Sequence, residues 1–182
     1  FISHLDYDHI SLIPTLKNAV KDIRAVVMPL LDKEEKNLLI NLNRALSKSI
    51  LRLIRNPNAF FGPNTKIIYI SSDPDNIDGI TDNVEYLEQP LSEIINSTSN
   101  NSQNIVLRNN NPLRYHSSSK WIFLPHNINY QNRNADLINK LNLNGFDINK
   151  LKTDPNYTAT ILGITKEKNK KKIYEALEGD IN

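Results

Sequence analysis

The sequence predicts a mixed α/β domain carrying a helical insertion. Three observations lead there. Two short runs read as strands: AVVM at residues 25–28 is β-branched, and KIIYI at 66–70 has the apolar character of a buried strand. Between them, residues 33–55 form the clearest amphipathic helical pattern in the chain. Strands and helices alternate early and the pattern then turns irregular, as expected of an α/β domain with insertions.

The elements follow in order. Phe1 and Ile2 are expected to end a strand, and residues 3–9 to form a loop. Residues 10–20 place Ile10, Ile13, Leu16 and Val20 at helical spacing, with Pro14 early enough in the helix to be tolerated. Pro29 should end the strand at 25–28. Asp32 with Glu35 three residues on has capping-box spacing. Leu38, Leu39, Leu42, Leu46, Ile50, Leu53 and Ile54 then continue one apolar stripe until Asn56-Pro57 stops it. After the strand at 66–70, an Asp-rich loop is expected over 71–83, followed by short strands at 84–87, 105–107 and 121–124. Helices are expected at 135–143 and 147–152, and a strand or turn at 158–164. Residues 166–177 read as a basic surface helix with Ile173, Tyr174 and Leu177 inside. Phe60 and Phe61 read as core anchors, with a hydrophobic loop lining a cleft as the alternative, and Trp121 as a core residue.

Composition narrows the function. A chain of 182 residues is sized for one domain. We expect a single, incomplete domain over residues 1–182, truncated at both ends, because it opens inside a strand and without Met. Twenty-two Lys and Arg against 20 Asp and Glu give a net charge of +2, which excludes a strongly basic nucleic-acid binder but not a local basic patch. With no cysteine there is no disulfide scaffold, no thiolate metal site and no Cys nucleophile. Only five glycines occur, and neither GxGxxG nor GxxxxGK[ST] is present. No apolar run approaches the roughly 20 residues of a membrane helix, so no membrane role and a cytoplasmic location are expected. The 27 asparagines compete locally for backbone hydrogen bonds and predict long polar loops, densest over 96–111.

One segment carries chemistry. His4-Leu5-Asp6-Tyr7-Asp8-His9 places four metal-capable side chains in six residues, between a strand end and a helix. Two imidazoles and two carboxylates offer the mixed nitrogen and oxygen donors of a zinc, manganese or iron site. Six residues cannot enclose one ion, so the donors are expected to divide. His4 and Asp6 would reach one ion, and Asp8 and His9 a second about 3.5–4 Å away. Asp73, Asp75 and Asp78-Gly79 miss the calcium-loop spacing and read as a solvated turn. The run KEKNKKK at 166–172 reads as a solvated face.

The motif SHLDYDH resembles the signature loop of the metallo-β-lactamase superfamily, H-x-[HDE]-x-D-H, which follows a strand and precedes a helix. The match covers about the first 20 residues. It implies a partial αββα sandwich with a helical insertion and a metal-dependent hydrolase. By resemblance His4 and Asp6 fall on the first metal site and Asp8 and His9 on the second. Two divalent ions are implied, zinc first, with manganese or iron favoured by Asp6 where the commonest form has histidine. The pair would generate a hydroxide, oriented by Asp8 as the catalytic residue, acting on phosphodiester bonds of nucleic acid or nucleotides. The alternatives are a non-catalytic module, or a protease or sensor component of a bacterial defence system, retaining the fold. The family also needs a further His, a bridging Asp after a strand and a last His. His116, His126 and Gly179-Asp180 match none of these, so the missing ligands are expected beyond Asn182.

Overall fold

The computed structural model describes residues 1–44, 47–72, 104–109, 112–114, 122–127, 131–160, 171–173 and 175–176. The chain forms two compact units, one of residues 1–30 and 56–128 and one of residues 31–55 and 129–182. The architecture is mixed α/β, as the sequence predicts, and its main described sheet is small and parallel.

In the first unit, β1 (Ala25–Pro29), β2 (Lys66–Ile70) and β3 (Asn104–Leu107) form a parallel sheet in that order. Ala25 lies opposite Lys66 and Pro29 opposite Ile70, while Ile67 lies opposite Asn104. Parallel neighbours cannot be joined by a tight turn, so long connections are required. Val27, Ile68, Ile70, Ile105 and Leu107 pack with Leu113 as one apolar cluster. Leu113 belongs to β4 (Leu113–Arg114), antiparallel to β5 (Ile122–Phe123). The carboxyl ends of the strands are tied off by hydrogen bonds. Leu30 N and Asn127 Nδ2 both donate to the Ile70 carbonyl, at 2.8 and 3.0 Å. Asn109 and Asn127 bond reciprocally, at 2.8 and 3.1 Å.

The described residues of this unit also form three short helices: α1 (Tyr7–Ile10), α2 (Ile13–Ala19) and α5 (Pro57–Phe61). The loop expected over 3–9 is therefore shorter, because Asp6 is the N-cap of α1 and Asp8 and His9 already lie within it. The helix expected over 10–20 is two helices, and only part of its apolar face points inward. Ile10 is fully buried, whereas Leu12, Leu16 and Val20 are exposed and α2 buries no residue. Asn56-Pro57 ends one helix and starts another, since proline lacks an N–H that the first turn does not need. The Asn56 side chain accepts from Ala59 N at 3.0 Å. Phe60 is buried and meets Phe61 edge-on, as core anchoring requires.

The second unit is helical: α3 (Lys33–Arg44), α4 (Lys48–Arg55), α6 (Gln131–Leu143), α7 (Ile148–Thr153) and α8 (Tyr157–Thr160), with residues 171–173 and 175–176 also helical. The capping box at the head of α3 is present, with Glu35 N donating to Asp32 Oδ1 at 2.8 Å and Asp32 N to Glu35 Oε2 at 3.1 Å. The single helix expected over 33–55 is broken. Ser47 restarts it as α4, its Oγ accepting from Ile50 N at 3.4 Å. Gly145, at φ 83°, closes α6, and Asp147 caps α7 through Lys150 N at 3.1 Å. Residues 157–160 are helical, so the strand-or-turn expectation for 158–164 fails where it is described. Leu42, Leu141, Phe146, Leu151, Tyr157, Ile173 and Ala176 form the core.

A polar node runs through this unit. Asn41 is fully buried and uses its whole amide. Its Nδ2 donates to the carbonyls of Leu151 and Asp154, both at 2.8 Å, and its Oδ1 accepts from Thr158 N and Oγ1 at 3.1 and 2.8 Å.

Among the described residues no helix is long and apolar enough to cross a membrane. His116, Trp121, Tyr174, Leu177, Gly179, Asp180, the Asp73–Gly79 turn and the strand expected at 84–87 lie outside the described residues.

Candidate metal centre

The HLDYDH segment begins at a sheet edge. Ile2 N donates to the Val27 carbonyl at 2.8 Å, which lays the first residues beside β1. Leu5 and Ile10 are buried and anchor the turn between them. The Asp6 carbonyl accepts from His9 N and Ile10 N, both at 3.1 Å, and the Tyr7 carbonyl accepts from Ser11 N at 2.8 Å. Winding into α1 one residue after Asp6 carries His9 back over His4.

The two rings meet. His4 Nε2 lies 2.7 Å from His9 Nδ1, and the ring centroids are 3.6 Å apart with the planes tilted by 57°. The Asp6 carboxylate makes no capping bond to α1, and its Oδ2 lies 3.9 Å from His4 Nε2. Both side chains are 41% exposed, so water and ions reach them. Ser3 Oγ lies 2.9 Å from His4 Nδ1. A proton on Nδ1, donated to Ser3 Oγ, leaves the Nε2 lone pair facing His9. The opposite arrangement puts the proton on Nε2 and donates it to His9.

Three of the four residues singled out from the sequence are thus gathered on one short turn: His4, Asp6 and His9. For Asp8 the description covers the backbone in α1, and its side chain lies outside the described residues. Among the described residues no three His, Cys, Asp or Glu side chains are grouped as a formed metal site. His126 is exposed, beside the pinned Asn127, and joins no such group. The donor set fits a borderline divalent ion in kind, imidazole nitrogen with carboxylate oxygen. The 2.7 Å spacing is that of a hydrogen bond. It is shorter than the roughly 3.3 Å expected for two nitrogens on one tetrahedral ion, so ion entry must displace the shared proton and part the rings slightly.

The direct meeting of His4 and His9 was missed in the sequence, where the two were assigned to separate ions. Five residues separate them, and only the entry angle of α1 brings the rings together. From the sequence Ser3 reads only as the lead-in to the motif, with no part at the ring. Replacing it by alanine is expected to weaken divalent-ion binding by about 10–100-fold, the usual cost of losing the group that orients a histidine ligand. Calorimetric titration with zinc checks this.

Compared with models of known families, with curated proteins and with solved structures, the chain matches none.

Proposed function

We propose that the chain is part of a metal-dependent hydrolase with a metallo-β-lactamase-like αββα arrangement, acting on phosphodiester bonds of nucleic acid or nucleotides. The observation that carries the proposal is the convergence of His4 Nε2 and His9 Nδ1 at 2.7 Å, with the Asp6 carboxylate beside them on an accessible turn. When bound, a pair of divalent ions, zinc first with manganese or iron as alternatives, supplies an acidified water and neutralises charge at the reacting centre.

The chain's own groups have separable tasks. His4 Nε2 and His9 Nδ1 would supply the ring nitrogens. Ser3 Oγ, 2.9 Å from His4 Nδ1, would accept from Nδ1–H in the tautomer that leaves Nε2 for an ion. Asp6 adds a hard oxygen and offsets positive charge. Asp8 is assigned to hold and orient the attacking water. No side-chain nucleophile is required, in keeping with the absence of cysteine and of a GxSxG elbow.

A second reading is a binding or sensor module that keeps the fold without catalysis, including a defence-system component. The His4–His9 hydrogen bond favours it to this extent: the two rings satisfy one another directly.

The test is hydrolysis of an activated phosphodiester and of labelled DNA by the zinc- or manganese-loaded protein, before and after Asp8→Ala. The variant is expected to lose at least about 100-fold in turnover, the scale of one transition-state electrostatic contact, with its melting curve nearly unchanged. Retained activity in Asp8→Ala removes the mechanism. Metal binding without turnover in the parent protein selects the second reading.

A further inference from the structure

Between Glu35 and Asp73 the chain contains no acidic residue, yet it carries Lys36, Arg44, Lys48, Arg52, Arg55 and Lys66. The net charge of +2 hides this asymmetry. Helix α4 sorts these charges onto one face. At about 100° per residue, Lys48, Arg52 and Arg55 fall within an arc of about 60°. Ile50, Leu53 and Ile54 take the opposite side and are buried. The three cations are exposed.

Arg44, at the end of α3, extends the group. Its Nη2 donates to the Pro155 carbonyl at 2.6 Å and to Asn156 Oδ1 at 3.0 Å, and Arg55 Nη2 reaches the same Oδ1 at 3.5 Å. Two guanidinium groups are therefore held on one neutral oxygen. Burial first, and then the neighbouring Arg55 charge, push the Arg44 guanidinium below its usual pKa, with Asp154 acting the other way. Glu34 and Glu35 sit in the first turn of α3, about 15 Å along the axis from Arg44. An anion arriving at this face relieves the repulsion between the guanidinium groups.

We propose that the Arg44–Lys48–Arg52–Arg55 face binds the phosphate backbone of a nucleic-acid strand. Lys48 to Arg55 spans about 10 Å, or about three phosphates at 3.4 Å per nucleotide. Arginine favours phosphate through its planar, two-pronged donor geometry. A membrane surface fits less well, because Ile50, Leu53 and Ile54 are buried and only the half-buried Leu51 is left to insert. The cationic face of α4 carries no aromatic, Asn or Gln side chain, so binding is by charge and tolerant of sequence. The proposal stands on the helical unit alone and is independent of the metal reading.

The experiment is fluorescence anisotropy of the full chain with a labelled mixed-sequence oligonucleotide, across a salt series and with chelator present so that no cleavage enters. Affinity is expected to fall steeply with salt. The triple variant Lys48→Gln, Arg52→Gln, Arg55→Gln is expected to bind at least about tenfold more weakly, with a salt slope shallower by about 2–3. The charge-preserving set Lys48→Arg, Arg52→Lys, Arg55→Lys should keep most of the affinity. If the triple variant loses its cooperative melting transition, the single exposed change Arg52→Glu is read in the same assay, with at least about tenfold loss expected. Unchanged affinity and slope in the neutral variants overturn the proposal, as does equal or tighter binding to vesicles of anionic lipid.

Discussion

Alanine in place of His4 is expected to weaken divalent-ion binding by more than about 100-fold, because losing only an orienting partner of a histidine ligand already costs 10–100-fold. His4 is the hub of the turn. Its Nε2 meets His9 Nδ1 at 2.7 Å, stands 3.9 Å from Asp6 Oδ2, and its Nδ1 is held by Ser3. Removing the ring leaves His9 as the one nitrogen donor of the motif beside the Asp6 and Asp8 carboxylates, a set that holds a borderline ion far more weakly. Stability should barely change, within about 0.5 kcal/mol, since the ring is on the surface and its former partners turn to solvent. Zinc titration by calorimetry, paired with a melting curve, separates the two effects. A decrease of threefold or less in affinity would remove His4 from the ligand set, and a collapse of the melting transition would make it structural.

The second large effect concerns the helical unit. Asn41→Leu is expected to destabilise it by about 3–5 kcal/mol. Leucine keeps the volume and fits an apolar core, so the cost is not a cavity. It arises because the side-chain bonds to the Leu151 carbonyl and the Thr158 N–H are lost in a site without water access, while the Asp154 carbonyl keeps only Tyr157 N and the Thr158 hydroxyl only the Asn41 backbone carbonyl. Asn41→Asp should cost at least as much, since its second carboxylate oxygen would face the two carbonyls and its charge would be buried without a cation. Urea unfolding followed by helical circular dichroism measures both. A loss under about 1 kcal/mol for leucine would mean that the node contributes little beyond packing.

Strands were legible where burial on both faces leaves an apolar run. β2 matches its expected bounds, and β1 differs only by including Pro29 at its end. The break between α3 and α4 was not legible, because Leu42, Leu46, Ile50 and Leu53 continue the helical period across it. Beside the break Ser47 caps α4, and the Asn43 side chain donates back to the Leu39 carbonyl at 3.0 Å. The Asn41 node was hidden for a related reason. Asparagine in a chain rich in it reads as a surface or loop residue, and its partners lie 110–117 positions away. In α2 the periodicity was real but its direction was not, since Leu12, Leu16 and Val20 face solvent. The site was legible as a donor set. Its geometry was not, because the pairing of His4 with His9 depends on α1 starting inside the motif.

The most direct test of the metal reading is nitrogen-15 correlation of the imidazole rings during titration with zinc. Coordination shifts are expected at His4 Nε2 and His9 Nδ1, saturating together, with His126 left unmoved and proton release accompanying uptake. Absence of a shift at both rings, or equal weak shifts at every histidine, would contradict it.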